Sequence, residues 1–278
     1  MSIKMLSHFH TDFPFNHDST WITATYAGGT GPYEWKPPGE GKFINVNFGS
    51  PSIMDFRHYY SSVSEKNFLR AMGVEASTYW LLKNSLNFDQ EYFGVTSYRR
   101  YLLLIENNIR EHKIIMPATK ESCDILSGEE SKQNALKILE KYDMIINRPV
   151  DYGISMEEQY LLYELPEYWN LFKEAIVKVN PSYKKHINIL TTRSLCHYEG
   201  VFITKREIFH RMMNEYFDIM QYVWKNCSEV YPDKTHKHYD CSEPLPWRYS
   251  GFLNERFVPF FIYANNLNIF EVPLVLLK

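Results

Sequence analysis

Cysteine is scarce in this chain of 278 residues. Cys123, Cys196, Cys227 and Cys241 stand far apart with no Cys-x-x-Cys, which excludes a dense disulfide framework and the common zinc-binding spacings. Long apolar runs are missing too. No segment approaches the roughly 20 apolar residues of a membrane-spanning helix, and the first residues lack the apolar stretch of a secretory signal. The expectation is therefore a cytoplasmic protein, soluble or peripheral at a membrane. There is no excess of positive charge: the net charge is -3, which argues against nucleic acid as a partner. Walker and kinase signatures are absent, and the glycines at Gly28, Gly29, Gly31, Gly39 and Gly41 follow no phosphate-binding fingerprint. Nor does any Asp-x-Asp occur that could hold a divalent metal at a strand end.

Aromatic residues are abundant instead: 21 Tyr, 18 Phe and 6 Trp make 16% of the chain. A core built with aromatics explains most of that surplus, although such rings also stack on sugars and bases. The length suits one α/β domain over residues 1–278. After a first strand at 3–9, the stretch from Thr11 to about Pro51 is rich in Gly, Pro and aromatics; it is too long for an idle loop and favours hairpins or a lid. A helix is expected from Ser64 to Asn84, a strand at 92–96, a helix from Ser131 to Lys141 and a buried strand from Tyr142 to Ile146. Helices at 155–164 and 166–179 follow, the second with Pro166 in its first turn. Then come a strand at 200–204, a long helix from Lys205 to about Asn226, a last helix at 251–265 and a terminal strand at 269–277. In the long helix, apolar residues at 208, 209, 212, 213, 216, 217, 220 and 223 keep the three-four spacing of a core-facing helix. Alternating strands and helices imply a three-layer α/β sandwich on a mainly parallel central sheet.

Three constellations could carry chemistry. Tyr92 to Tyr101 is a short apolar strand running into Arg99 and Arg100; guanidinium is always charged and meets phosphate or carboxylate oxygens two at a time, so a pair at a strand end points to an anion. The alternative is that one arginine pairs with an acid such as Glu75 or Glu255. The second constellation, Trp247 to Arg256, sets Glu255 between Arg248 and Arg256 near a helix start, where a carboxylate could act as a general base. An ion pair tying the last helix to the sheet is the bland alternative. The third is the histidines. His8 and His10 share a strand face, and His236, His238, Asp240 and Cys241 lie in a polar loop, but neither set matches a common metal pattern.

These residues resemble those of the capsular-polysaccharide-type glycosyltransferases, surface-glycan enzymes once catalogued only as a domain of unknown function. The resemblance rests on His10 after the first strand, on Val63-Ser64-Glu65-Lys66-Asn67, on Glu75 to Asn84 with Tyr79 and Trp80, and on Gly94-Val-Thr-Ser-Tyr-Arg-Arg-Tyr101. It continues through Tyr142 to Ile146, Glu158-Gln159-Tyr160 and Arg248-Tyr-Ser-Gly-Phe-Leu-Asn-Glu-Arg256. Ser97 stands where the family has histidine, and Gly200 where it has asparagine. The resemblance implies a GT-A-like fold, with a donor-binding part at about 1–150 and an acceptor and catalytic part at about 151–278. It implies transfer from a UDP-sugar (hexose, galactofuranose or xylose) to a glycan hydroxyl, with inversion favoured. His10, Lys66, Asn67, Tyr98, Arg99, Arg100, Arg248 and Arg256 are then expected to bind the donor, Tyr79, Trp80 and Trp247 the acceptor, and Glu255 to be the base. No cofactor is expected to be required, with a divalent cation (Mn or Mg) left open; the rival reading is a non-catalytic carbohydrate-binding protein on a degenerate fold.

Overall fold

The computed structural model describes residues 1–9, 21–26, 54–55, 68, 72, 75–85, 88–97, 99–106, 108–226 and 249–278. Its strands in chain order are β1 (Ile3–Phe9), β2 (Ile22–Tyr26), β3 (Met54–Asp55), β4 (Tyr92–Ser97), β5 (Arg100–Leu102), β6 (Lys113–Met116), β7 (Met144–Asn147), β8 (Val150–Asp151), β9 (Leu195–Cys196), β10 (Phe202–Lys205), β11 (Ile269–Val272) and β12 (Leu274–Leu277). The helices are α1 (Glu75–Asn84), α2 (Lys120–Ser127), α3 (Glu129–Leu139), α4 (Met156–Leu161), α5 (Pro166–Val179), α6 (Ile189–Thr192), α7 (Arg206–Asn226) and α8 (Tyr249–Ala264).

Alternation of side chains along the strands makes the middle layer apolar on both faces. Leu6, Phe93, Val95, Met144, Ile146 and Phe202 point into one core, which α1, α4, α5, α7 and α8 cover. Ile3, Met5, Tyr92, Ile145 and Ile203, their neighbours along the same strands, point into the other with Ala135, Leu136 and Cys123 of α2 and α3. The main path of the sheet runs β11-β7-β10-β4-β1-β2-β3. Its pairings are parallel except around β10, which runs antiparallel to both β4 and β7.

Three local details differ from the sequence expectation, each for a physical reason. Ile22–Tyr26, inside the stretch expected to form hairpins or a lid, is a parallel strand beside β1. Trp21 ahead of it is buried and donates its indole N–H to the Ser127 carbonyl at 2.7 Å, so this segment belongs to the sheet. The terminal strand is split at Pro273, which has no N–H for a ladder. Ile269–Val272 pairs with β7, whereas Leu274–Leu277 crosses to β5 and β6. Helix α2 was not expected; Thr119 caps it, its hydroxyl accepting from the Ser122 N–H at 3.2 Å. The expected cap Ser64, the rest of the Thr11 to Pro51 stretch and the loop bearing His236, His238, Asp240 and Cys241 lie outside the described residues.

Candidate functional site

Strand order fixes where a ligand can sit. From β1 the chain proceeds to β2 and β3 on one side, while β4 pairs on the other, so the crevice beyond the carboxyl ends of β1 and β4 is the switch point of this sheet. His8 of β1 lies level with Ser97 of β4. Next, β5 folds back on β4 with Ser97 opposite Arg100, and Arg99 ahead of β5 is exposed. The Arg99 carbonyl is fixed by the Leu277 N–H at 2.8 Å, and the Arg100 carbonyl accepts the Thr96 hydroxyl. Both arginines therefore stand on anchored backbone at the switch point.

The loop entering β10 brings an acid to the same edge. Glu199 and Gly200 are both left-handed, with φ of 83° and 62°. The glycine adopts this freely, but in Glu199 it costs about 1–3 kcal/mol, the sort of strain kept where a side chain must be delivered to one place. Its carboxylate pairs with the Arg100 guanidinium Nε and with Lys113 Nζ at 2.8 Å. Arg100 thus does find an acid, as one sequence reading allowed, and the acid is Glu199 in place of Glu75 or Glu255. Among the described residues, no group of three or more His, Cys, Asp or Glu side chains is placed to hold a metal ion.

Helix α8 supplies Glu255, seven residues into the helix and so farther along than the helix-start position expected. Pro259 lies one turn later and has no N–H to donate to the Glu255 carbonyl. That carbonyl is instead approached by the Cys196 thiol at 3.8 Å; burial pushes this thiol up to about 12, so it stays a donor. The Glu255 side chain is 28% exposed and accepts from the Arg256 guanidinium at 2.9 Å. Burial raises its proton affinity and the Glu199 charge raises it further, while the Arg256 and Arg100 charges oppose the rise. Next to it lies Glu75, buried at the start of α1 and pushed up to about 7, chiefly by burial; the Asn254 side chain hydrogen-bonds it and the Glu255 charge raises it. Together these groups can hold an anionic leaving group and accept a proton from a hydroxyl.

The structure brings Arg99, Arg100, Glu255 and Arg256 to this region, but their roles separate. Arg256 is 2% exposed, donates to the Phe252 carbonyl at 2.8 Å and to Gln159, and lies over the rings of Tyr160, Tyr198 and Phe252. It is thus held inside the core with its guanidinium paired to the Glu255 carboxylate. Tyr79 and Trp80, expected at the acceptor, are 4% and 7% exposed. Tyr79 packs edge-on against Phe217 at 4.9 Å and Trp80 packs near Phe88, so their faces are taken up by the core. His10, Lys66, Asn67, Tyr98, Trp247 and Arg248 lie outside the described residues. Sequence reasoning missed Glu199, Lys113 and Tyr152. Tyr152 is 54% exposed, packs edge-on against Tyr198 at 5.1 Å, and feels the charges of Glu199, Glu255 and Arg256. The signal for it was the turn Asp151-Tyr152-Gly153, in which Gly153 has φ of 69° and donates its N–H to Asp151 at 2.9 Å.

Among solved structures, the apo structure of the WbbM bifunctional glycosyltransferase is similar to this chain, with a TM-score of 0.71 at 16% identity. The match covers the whole of this chain and 46% of that one, so the chain spans less than half the length of that protein. It shows the fold, a GT-A-type α/β sandwich with a mainly parallel sheet. No curated protein matches the chain. A family model described as a domain of unknown function, DUF4422, matches residues 62–266, most of the length, and the chain belongs to that family.

Proposed function

We propose that this protein is a glycosyltransferase that moves a sugar from a UDP-sugar donor to a hydroxyl of a glycan acceptor, with inversion and without a metal. The observation that carries the proposal is the meeting, at the switch point, of an arginine turn on β4 and β5 with a carboxylate of raised proton affinity on α8. The fold shared with a glycosyltransferase supports the reaction class. In this reading Arg99 and Arg100 hold the diphosphate, and His10, Lys66, Asn67, Tyr98 and Arg248 complete the donor side. The Glu255 carboxylate takes the acceptor hydroxyl proton as that oxygen bonds to the anomeric carbon. The bond from that carbon to the diphosphate oxygen breaks, and UDP leaves with its electron pair, its charge met by the arginines. Cations do the work that a divalent ion does elsewhere.

The acceptor is held by Trp247 and by the exposed face of Tyr152, beside the base. In this reading the donated sugar is a hexose, galactofuranose or xylose. Glu255→Gln keeps the shape of the side chain and removes its basicity, so transfer is expected to fall by about 100-fold or more while UDP affinity is retained. A Glu255→Gln variant that transfers sugar at the wild-type rate removes Glu255 as base. Glycan binding without donor binding, in the wild type, would point to a non-catalytic carbohydrate-binding protein.

A further inference from the structure

Two cations and one acid meet at the donor edge in a way the proposed reaction does not use. Arg100 and Lys113 come from β5 and β6, which do not pair with each other; β12 lies between them. Arg100 is opposite Leu276 and Lys113 is opposite Leu274, two residues apart on β12, so both side chains rise from one face of this ladder. They converge on a single carboxylate, Arg100 on one oxygen of Glu199 and Lys113 on the other at 2.8 Å. That carboxylate is delivered by a backbone in the left-handed region, which an acid rarely adopts. An oxyanion with two oxygens turned toward an Arg and a Lys is the contact pattern of a bound phosphoryl group.

We infer that Lys113 is a third phosphate-binding cation of the donor site, and that Glu199 is a resident carboxylate occupying the place of a phosphoryl group until a diphosphate displaces it. The inference rests on the diphosphate reading of Arg99 and Arg100 given above. The Arg100 and Lys113 side chains are part-exposed, so solvent and a ligand can reach them, while Arg100 Nε is buried against Glu199 without a hydrogen bond of its own. A diphosphate brings more negative charge and more acceptor oxygens than one carboxylate, and the displaced Glu199 faces water, where it remains charged. When the diphosphate leaves, Glu199 returns and neutralises the cations. The device favours product release as well as donor exchange.

The test is calorimetric titration of the full chain with inorganic pyrophosphate and, separately, with UDP, for the wild type, Glu199→Gln and Lys113→Met. Removing the competing charge should tighten both ligands by about fivefold or more, and removing the lysine should weaken both by a similar factor. Lys113→Arg should bind like the wild type, which separates loss of charge from loss of fold, and thermal melts confirm that each variant is folded. Unchanged or weaker binding by Glu199→Gln overturns the placeholder role, as does loss of turnover in that variant with unchanged pyrophosphate affinity. Pyrophosphate responding as expected while no variant binds UDP would leave this site standing and remove the UDP-sugar reading. Binding of neither ligand by any variant removes both.

Discussion

Glu75 opens α1 with its side chain buried and its carboxyl pushed up to about 7, against an ordinary value near 4.5. Between those two pH values the folded protein keeps the proton while the unfolded chain has released it. Stability is therefore fully present below the ordinary carboxylate range and declines as pH rises toward 7, by an amount on the order of 3 kcal/mol over the window. Glu75→Gln needs no proton and should flatten this slope, leaving a variant more stable than the wild type at pH 8. Urea unfolding at pH 5 and pH 8 checks this; a slope that persists in the variant would assign it to another group. Glu255 has the same sign of shift, so the acid limb of the rate profile should lie above the usual carboxylate range. On the acceptor side, Tyr152→Ala removes a ring that is 54% exposed and rests edge-on against the buried Tyr198, and the expected outcome is an acceptor KM raised by roughly fivefold with donor KM unchanged, about 1 kcal/mol of stacking. Equal effects on both substrates would take Tyr152 out of the acceptor site.

The strands hold the site through a close backbone approach. A Cβ on Gly94 would come within 2.5 Å of the Phe202 carbonyl oxygen on β10 and 3.0 Å of the Met5 side chain on β1. Gly94→Ala must therefore push β10 from β4 and displace Glu199, three residues before Phe202. A loss of about 2–3 kcal/mol in unfolding free energy is expected, together with weaker donor binding, measured by denaturant titration and calorimetry. Wild-type stability would mean the two strands separate without cost. Several elements were legible from residue spacing. In α7 each of the eight apolar positions expected to face the core is buried, and α5 starts at Pro166 as its first-turn proline implies. Other features depend on partners remote in sequence and left no local mark. Tyr79 and Trp80 look alike whether they stack on a sugar or fill a core, and only packing against Phe217 and Phe88 decides. The burial of Arg256 likewise depends on Gln159, Tyr160 and Tyr198, all remote from it in sequence. Glu199 carries no motif: its pairing with Lys113 joins residues 86 apart, and its left-handed backbone is hinted at only by the glycine that follows.

At the scale of the whole molecule, the strand order makes a site from pieces remote in sequence. The path β7-β10-β4-β1-β2 puts the end of β4 beside the end of β1 and lets β10 return antiparallel, so its entry loop arrives at that same edge. Helix α8 closes the edge through the Cys196 thiol at Glu255 and through the Tyr216 hydroxyl, which donates to the Ser250 carbonyl at 3.0 Å. The alternation of apolar residues foretold the three layers, but not this convergence, which depends on pairings across the full chain. The most direct measurement is the melting of wild type and Arg100→Ala with a panel of UDP-sugars. At a donor concentration about 100 times its Kd the wild type should gain roughly 2.7 kcal/mol of stability, seen as a raised Tm. Arg100→Ala should need at least about tenfold more ligand for the same shift, the loss of one charge-assisted contact. No shift with any UDP-sugar, or equal shifts in the two proteins, would contradict the assignment of this edge as the diphosphate site.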